Sequence, residues 1–300
     1  MTTRVLVTGA TGQVGVDLMD VLGGDTAPGG DVTWQPDGRS VRPDEFEVVG
    51  VSHHELDVAD PEAVRRVMAA VRPDVVVNLA AYTAVDRAES EPELCRAINA
   101  TALTALSASC DDLAAHLITI STDYVFDGTK GSSYFEGDAT NPLGVYGATK
   151  REGELLCRPR DTIVRTSWVM GSRGKNIAKL VQQRCRDNAP VRFVNDQVGS
   201  PTMAADLSRA LVTLVREKPG GVVHLANSGV TSWFDLVRLI ADTFEKPSDF
   251  VTAISTEELI PSPTARRPAL SGLAMQRWSD LGFSDPPRWE DALVRLLRVN

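Results

Sequence analysis

The chain has 300 residues, 43% of them hydrophobic and 24% charged, with a formal net charge of -9 and a pI near 5.0. That length buries a substantial core, as one large domain or two smaller ones. The acidic balance argues against a sequence-independent grip on nucleic acid or an anionic membrane, both of which need a basic face, so the expected partner is a small molecule.

Residues 4–8 form a short apolar run, and the turn through Gly9, Gly12 and Gly15 opens an apolar-periodic segment reaching Val21 and Leu22. This reads as strand, tight turn and helix. Residues 23–44, rich in Gly, Pro and Asp, read as an enlarged surface loop. A strand is expected at 47–51, a helix at 61–71, an apolar strand from Val75 through VVVNLAA, and a helix starting near Glu93. Strands at 117–121 and in TIVRTSWV flank a helix over 147–154. Beyond Gly171 the order changes: helices at 176–187 and 204–216 alternate with strands VRFVN and VVHLAN, and short mixed elements follow.

Apolar strands alternating with amphipathic helices predict an α/β fold, a doubly wound, Rossmann-like parallel sheet covered on both faces. A smaller interleaved α/β region is expected to bind substrate. Residues 1–170, with 199–228 returning to them, make the dinucleotide-binding part; 171–300 are mainly the substrate-binding part. Ligands of such sheets sit at the carboxyl ends of the strands, where Gly9, Thr83, Thr122 and Trp168 all fall.

The three glycines are spaced for a tight turn, close approach of backbone to a pyrophosphate, and packing of helix on strand, with the phosphate at the helix amino terminus. Tyr146 and Lys150 stand four residues apart in VYGATK and share one helix face. A phenol of pKa about 10 is a poor acid at neutral pH, and a neighbouring ammonium is expected to draw it toward the working range. Thr122 offers a hydroxyl to a substrate carbonyl or to the phenol. YxxxK by itself is a common accident on helices; the glycine turn upstream, in the right order, makes it a hydride-transfer site.

Cys95, Cys110, Cys157 and Cys185 lack CxxC or zinc spacing and read as free thiols of a reducing compartment. His53, His54, His116 and His224 show no metal-ligand spacing, so no metal is expected, and His224 reads as a core histidine. No apolar run approaches the ~20 residues of a membrane helix. MTTR leads directly into the first strand without room for a signal peptide. A cytoplasmic protein is expected, and monomer and homodimer both stay open.

TGATGQVG at 8–15 with YxxxK downstream resembles the extended short-chain dehydrogenase/reductase superfamily. VNLAAYTAVDRAESEPE from 77, INAT around Asn99, STDYVFDG from 121, YGATKREGE from 146, RTSWV from 165, NDQVGSPT from 195 and ARRP at 265–268 are similar, in the same order over most of the chain, to its dTDP-4-dehydrorhamnose reductase family. The resemblance implies reduction of the C4 ketone of a dTDP-4-dehydro-6-deoxysugar by NADPH or NADH. It places Gln13 and Val14 at the pyrophosphate, Asp57 and Val58 at the adenine, and Ala81, Tyr82 and Thr83 beside the cofactor. Thr83, Val85, Thr122, Asp123 and Trp168 would meet the sugar nucleotide, with Tyr146 the proton donor and Lys150 on the nicotinamide ribose. Trp168 also reads as a packed core aromatic. Arg266 and Arg267 read equally as a solvated basic pair or as partners of the substrate diphosphate.

Three features depart from the pattern. The tip of the second strand carries Ser52, His53 and His54 with no acid before Glu55, so nothing there is expected to exclude a 2′-phosphate. The loop 23–44 is long for the family; Arg39 or Arg42 would reach that phosphate if the loop folds over the adenosine, slightly favouring NADPH. A magnesium site near the carboxyl terminus, described for some members, has no counterpart in LLRVN and is not expected. Two rivals remain. A dehydratase or epimerase of the same superfamily would need Glu after Thr-Asp, where Tyr124 stands; a non-catalytic dinucleotide-binding regulatory subunit would keep the fold without the chemistry. Within the reductases, a 6-deoxytalose or antibiotic-sugar ketoreductase is the runner-up.

Overall fold

In the computed structural model, which describes residues 2–299, the elements run β1 (Thr3–Thr8), α1 (Gln13–Leu22), β2 (Phe46–Val51), α2 (Pro61–Val71), β3 (Val75–Asn78), α3 (Ala102–Asp112), β4 (His116–Thr122), α4 (Val145–Leu155), β5 (Thr162–Thr166), α5 (Ile177–Arg186), α6 (Ala204–Glu217), β6 (Gly221–His224), α7 (Trp233–Thr243) and α8 (Trp289–Arg298). The six strands make one sheet in the order β6-β5-β4-β3-β1-β2, every neighbouring pair parallel. The chain steps from β1 outward to β2 and then returns to place β3 on the other side of β1, which opens a crevice at the carboxyl ends of β1 and β3.

Burial on both faces explains why these strands are continuous apolar runs: Val5, Leu6, Val7, Val75, Val76 and Val77 are all fully buried. On one face Leu18 and Val21 of α1 pack with Leu211, Leu214 and Val215 of α6. On the other, Val64 and Met68 of α2 meet Leu103 and Leu106 of α3. Local signals fix the helix ends. Asp60 accepts from the N–H groups of Glu62 and Ala63, Pro61 sits in the first turn, and Arg72, at φ 49, ends α2.

A third core joins α5, α7 and α8 through Val181, Leu236, Ile240, Leu293 and Leu296. It lies against the parallel pair Val191–Val194 and Val251–Ile254. Trp278 belongs instead to the core under α1 and α6, so the last third of the chain is divided between the two regions.

β3 stops at Asn78, short of the expected run. The Asn78 side chain accepts from Thr8 Oγ1 at 2.6 Å and donates to Thr119 Oγ1 at 3.1 Å, tying the ends of β1 and β3 to the middle of β4. The helix expected from Glu93 is broken into Pro92–Arg96, a π turn Ala97–Thr101 and α3. The wide turn puts Asn99 inside the fold.

The loop at 23–44 does not fold over the adenosine crevice. Asp31 N–H donates to Asp206 at 3.1 Å, Trp34 Nε1 to Ser284 Oγ at 3.1 Å, and Arg216 of α6 binds Asp37 and Glu45. Glu45 immediately precedes β2, and its carbonyl accepts from Thr3 N–H at the amino end of the sheet. Arg39 is paired with Asp37 and Glu217, and Arg42 faces Glu45. Both arginines therefore sit at the end of the sheet opposite the crevice, which corrects the expectation that they reach a 2′-phosphate.

Candidate active site

The glycine turn is forced by contact. Gly9 has φ +64, and a Cβ on it would lie 2.9 Å from the Ala80 nitrogen; one on Gly15 would lie 2.3 Å from the Gly9 carbonyl oxygen. Gly12 caps α1 in extended conformation with no side-chain hydrogen bond. The first N–H groups of α1 are thus left to an external acceptor, at the positive end of the helix dipole. A dinucleotide pyrophosphate fits this cradle.

The Gln13 side chain turns away from the cradle. Its Nε2 donates to the Val169 carbonyl at 3.0 Å, and its Oε1 accepts from Asn176 Nδ2 at 2.8 Å. Asn176 also caps α5, so Gln13 joins the glycine turn to the second region and only its backbone faces the turn's ligand. Val14 packs at the edge of the α1 core. Val58 is buried under β1 and β2, while Asp57 is exposed and accepts from Ala59 N–H. At the tip of β2 the reading is corrected: Glu55 folds back so that Oε2 accepts from Ser52 N–H at 2.8 Å and Ser52 Oγ at 2.7 Å. A carboxylate does occupy the tip.

Past β3, Ala81, Tyr82 and Thr83 run along the crevice. Asn99 accepts from Tyr82 N–H at 2.9 Å and donates to the Tyr82 carbonyl at 3.0 Å, while Tyr82 Oη donates to Glu91 at 2.6 Å. Asn99 also reaches Thr149 on α4 at 3.4 Å, and Gly153 permits that approach, since a Cβ there would meet the Asn99 carbonyl oxygen at 2.3 Å.

Thr122, Tyr146 and Lys150 converge where β4 meets α4. Thr122 Oγ1 donates to Asp123 at 3.1 Å and accepts from Tyr124 N–H at 3.2 Å. Asp123, 2% exposed, also accepts from Ser271 Oγ at 2.5 Å, and burial pushes it up to about 7. Lys150, 6% exposed, donates to the Ile120 carbonyl at 3.0 Å, and burial pulls it down to about 8. The expectation that Lys150 draws the phenol downward is not met. Burial holds Tyr146 above its ordinary value, Asp123 and Tyr124 add to the rise, and the Thr122 hydroxyl opposes it. The ammonium is turned to a strand carbonyl, while the charge nearest the phenol is negative.

Behind this group lies an ion pair not foreseen from the sequence. Glu154, four residues after Lys150, accepts from Arg165 at 2.8 and 2.7 Å and from Ser121 Oγ at 2.6 Å. Burial would raise Glu154, but Arg165 outweighs it and keeps the carboxylate below its usual range. Its place in YGATKREGE was the available signal.

A cleft of about 710 Å³ opens from Tyr124 into the second region, lined also by Phe193, Gln197, Trp233, Arg192 and Arg267. Tyr124 lines in addition a narrow niche with Val85, Tyr146 and Arg266, and its ring meets that of Tyr146 edge-on at 5.8 Å. Trp168, at φ 48, stacks on Trp233 with centroids 3.7 Å apart and lies against Gly199. Trp233 is the ring that lines the cleft, and an isolated Trp in TSWFDL gave no pattern to find it by. Arg267 pairs with Asp86 at 2.8 Å, whereas Arg266 is exposed without a carboxylate partner among the described residues. His224 is fully buried, its Nδ1 against the Ala274 carbonyl at 3.0 Å and its Nε2 unpartnered. The four cysteines are free, and no described helix is long and apolar enough to cross a membrane.

A family model described as RmlD substrate binding domain matches residues 3–300. The dTDP-4-dehydrorhamnose reductase of Escherichia coli (strain K12) is 35% identical over 306 residues, covering 98% of this chain and 97% of its own length. A dTDP-4-keto-6-deoxy-D-glucose reductase of Streptomyces niveus is also 35% identical, covering 98% of this chain and 96% of its own. The crystal structure of dTDP-4-dehydrorhamnose reductase from Bacillus anthracis str. Ames in complex with NADP has a TM-score of 0.89 and 31% identity, with 100% of both chains covered.

Proposed function

The chain belongs to the RmlD substrate-binding-domain family, and from that premise we propose that it reduces the C4 ketone of dTDP-4-dehydrorhamnose to give dTDP-L-rhamnose, with NADPH or NADH as the reductant. The observation that carries this reading is the convergence of Thr122, Tyr146 and Lys150 between the glycine cradle and the cleft. The nicotinamide, when bound, supplies the hydride that converts the ketone carbon to a carbinol.

The chain's own residues supply orientation and the proton. Thr122 offers a hydroxyl to the ketone oxygen, a preorganised donor of the kind worth about 3 kcal/mol in such sites. Tyr146 delivers its phenolic proton to that oxygen. A reductive direction needs the donor protonated, and an alkoxide is a far stronger base than a phenolate, so the raised Tyr146 does not impede the transfer. Lys150 holds the ribose and fastens α4, which carries the phenol, to β4. Trp233 gives the sugar nucleotide an apolar wall, and Arg266 and Arg267 stand near enough to the niche and cleft to meet its diphosphate. In this reading residues 1–170 with 199–228 bind the dinucleotide, the remainder binds substrate, and the protein works in the cytoplasm.

A second reading, reduction to the C4 epimer or of a related 4-keto-6-deoxysugar, is favoured by the equal identity of the Streptomyces niveus relative. The test is the fall of NADPH absorbance when dTDP-4-dehydrorhamnose is added, followed by proton NMR of the product. Axial or equatorial coupling at C4 separates dTDP-L-rhamnose from dTDP-6-deoxy-L-talose, and no NADPH oxidation would overturn both readings.

A further inference from the structure

Beneath the loop at 23–44, between α1 and α6, lies a cavity of about 220 Å³. It opens toward the amino end of the sheet, because Arg216 in its wall is bound to Glu45 just before β2. Val21, Val32, Val41 and Val212 give it apolar walls; Ser40 and Thr213 add hydroxyls.

Two arginines of α6 share this wall and differ in one respect. Arg216 has carboxylate partners in Asp37 and Glu45. Arg209, 7% exposed, has no carboxylate within ion-pair distance among the described residues. With the Gln35 amide oriented to satisfy both its ends, Arg209 Nη1 donates to Gln35 Oε1 at 3.0 Å, and Nε has no partner at all. Asp206 and Asp31 act on it only from beyond that distance and are bound elsewhere, Asp206 to Arg295 and Asn227 and Asp31 to Thr33; Asp25, exposed, is the one carboxylate lining the cavity among the described residues. A guanidinium withdrawn from water without a counter-ion is strongly unfavourable.

We propose that this cavity is a binding site for a small phosphate-class oxyanion, with the Arg209 guanidinium as its counter-ion and Ser40 and Thr213 as hydroxyl donors. A planar guanidinium fork matches phosphate and carboxylate oxygens. The cavity equals roughly seven water volumes, which admits inorganic phosphate or a comparably small phosphorylated or carboxylated molecule and excludes a nucleoside diphosphate. This site is separate from the cleft and does not depend on the proposed reaction.

The experiment uses the full chain saturated with NADPH, so that the dinucleotide cradle is filled, and titrates inorganic phosphate against chloride at constant ionic strength. Calorimetry and the thermal midpoint are the readouts. Saturable phosphate binding is expected in the unaltered protein and is lost in Arg209→Met, with NADPH oxidation kinetics unchanged. Val32→Trp, at the exposed rim, weakens binding at least tenfold by covering the mouth, and decides the matter alone if Arg209→Met does not fold. In phosphate-free buffer Arg209→Met has a midpoint equal to or above that of the unaltered protein. The proposal is overturned by equal phosphate binding in either variant, by no response beyond that to chloride, or by a lower phosphate-free midpoint.

Discussion

The Lys150 ammonium donates to the main-chain carbonyl of Ile120 at 3.0 Å, fastening α4 to β4 two residues before Thr122. The lysine thus sets the distance between the helix that carries the phenol and the strand that carries the hydroxyl, in addition to supplying charge.

Burial holds Lys150 down to about 8 from the usual 10.5, so its charge is lost as pH rises through the assay range. The expected kcat/KM profile has an alkaline limb near pH 8. Lys150→Arg, with a guanidinium that stays protonated, lowers activity but removes the limb. Between about 8 and 10.5 the unfolded chain binds the extra proton at this position, so this group alone makes stability rise with pH in that window. A limb at or above about 10 would show that Lys150 is better solvated than its burial implies.

Tyr146→Phe removes the proton donor and leaves the ring packing against Tyr124. Turnover should fall by about 10²–10⁴-fold, the usual range for a positioned acid, while NADPH affinity, set by the glycine turn and Lys150, is nearly unaltered. The residual activity should keep the limb near pH 8, since that limb belongs to Lys150. Single-turnover rates with NADPH binding by fluorescence separate the two effects, and a variant with most of its activity would remove Tyr146 from the reaction.

Helix α2 was legible to the residue because it carries its own cap and proline, and β1 because burial on both faces leaves an apolar run. The glycine turn, Thr122, Tyr146 and Lys150 were legible for a related reason: each is specified by spacing along the chain. Contacts made across long separations were not. Gln13 meets Asn176, Asp123 meets Ser271, and Trp233 meets Trp168, and no local pattern announces such a partner. The sign of the Tyr146 shift was missed similarly, since helical spacing gives the face of Lys150 but not the carbonyl that captures its ammonium.

Four buried groups set opposing pH dependences. His116 and His224 are pushed down to about 4 and about 3, and Asp17 and Asp123 up to about 6 and about 7, in each case chiefly by burial. Near pH 5 the unfolded chain holds the extra protons of the histidines, so they make stability rise with pH; the folded chain holds those of the aspartates, so they make it fall. The contributions nearly cancel. Asp17→Asn, away from the catalytic group, should unmask a positive slope of thermal midpoint between about pH 4.5 and 6. It should also raise the midpoint at pH 7.5 by about 2 °C, because the Asp17 Oδ2 is buried without a partner. A negative slope in the variant would mean that His116 and His224 are protonated in the folded state.

Cofactor choice turns on Glu55. Its carboxylate is bound to Ser52 at the end of β2, where a dinucleotide fold presents the adenosine ribose, and His53 and His54 flank it in exposed positions. A carboxylate there disfavours a 2′-phosphate, yet it is exposed, tethered to its own turn and accompanied by two imidazoles, so the exclusion is weak. NADPH is therefore still accepted beside NADH, and Glu55→Gln should raise the NADPH-to-NADH ratio of kcat/KM by less than about tenfold, more at low salt than at high. Arg39→Ala and Arg42→Ala should leave the ratio unchanged, because both side chains are engaged at the opposite end of the sheet. The ratio is measured for all four proteins at two ionic strengths. No change in Glu55→Gln at low salt would show that the β2 tip does not read the 2′ position, and a fall in Arg39→Ala would return the loop at 23–44 to the adenosine.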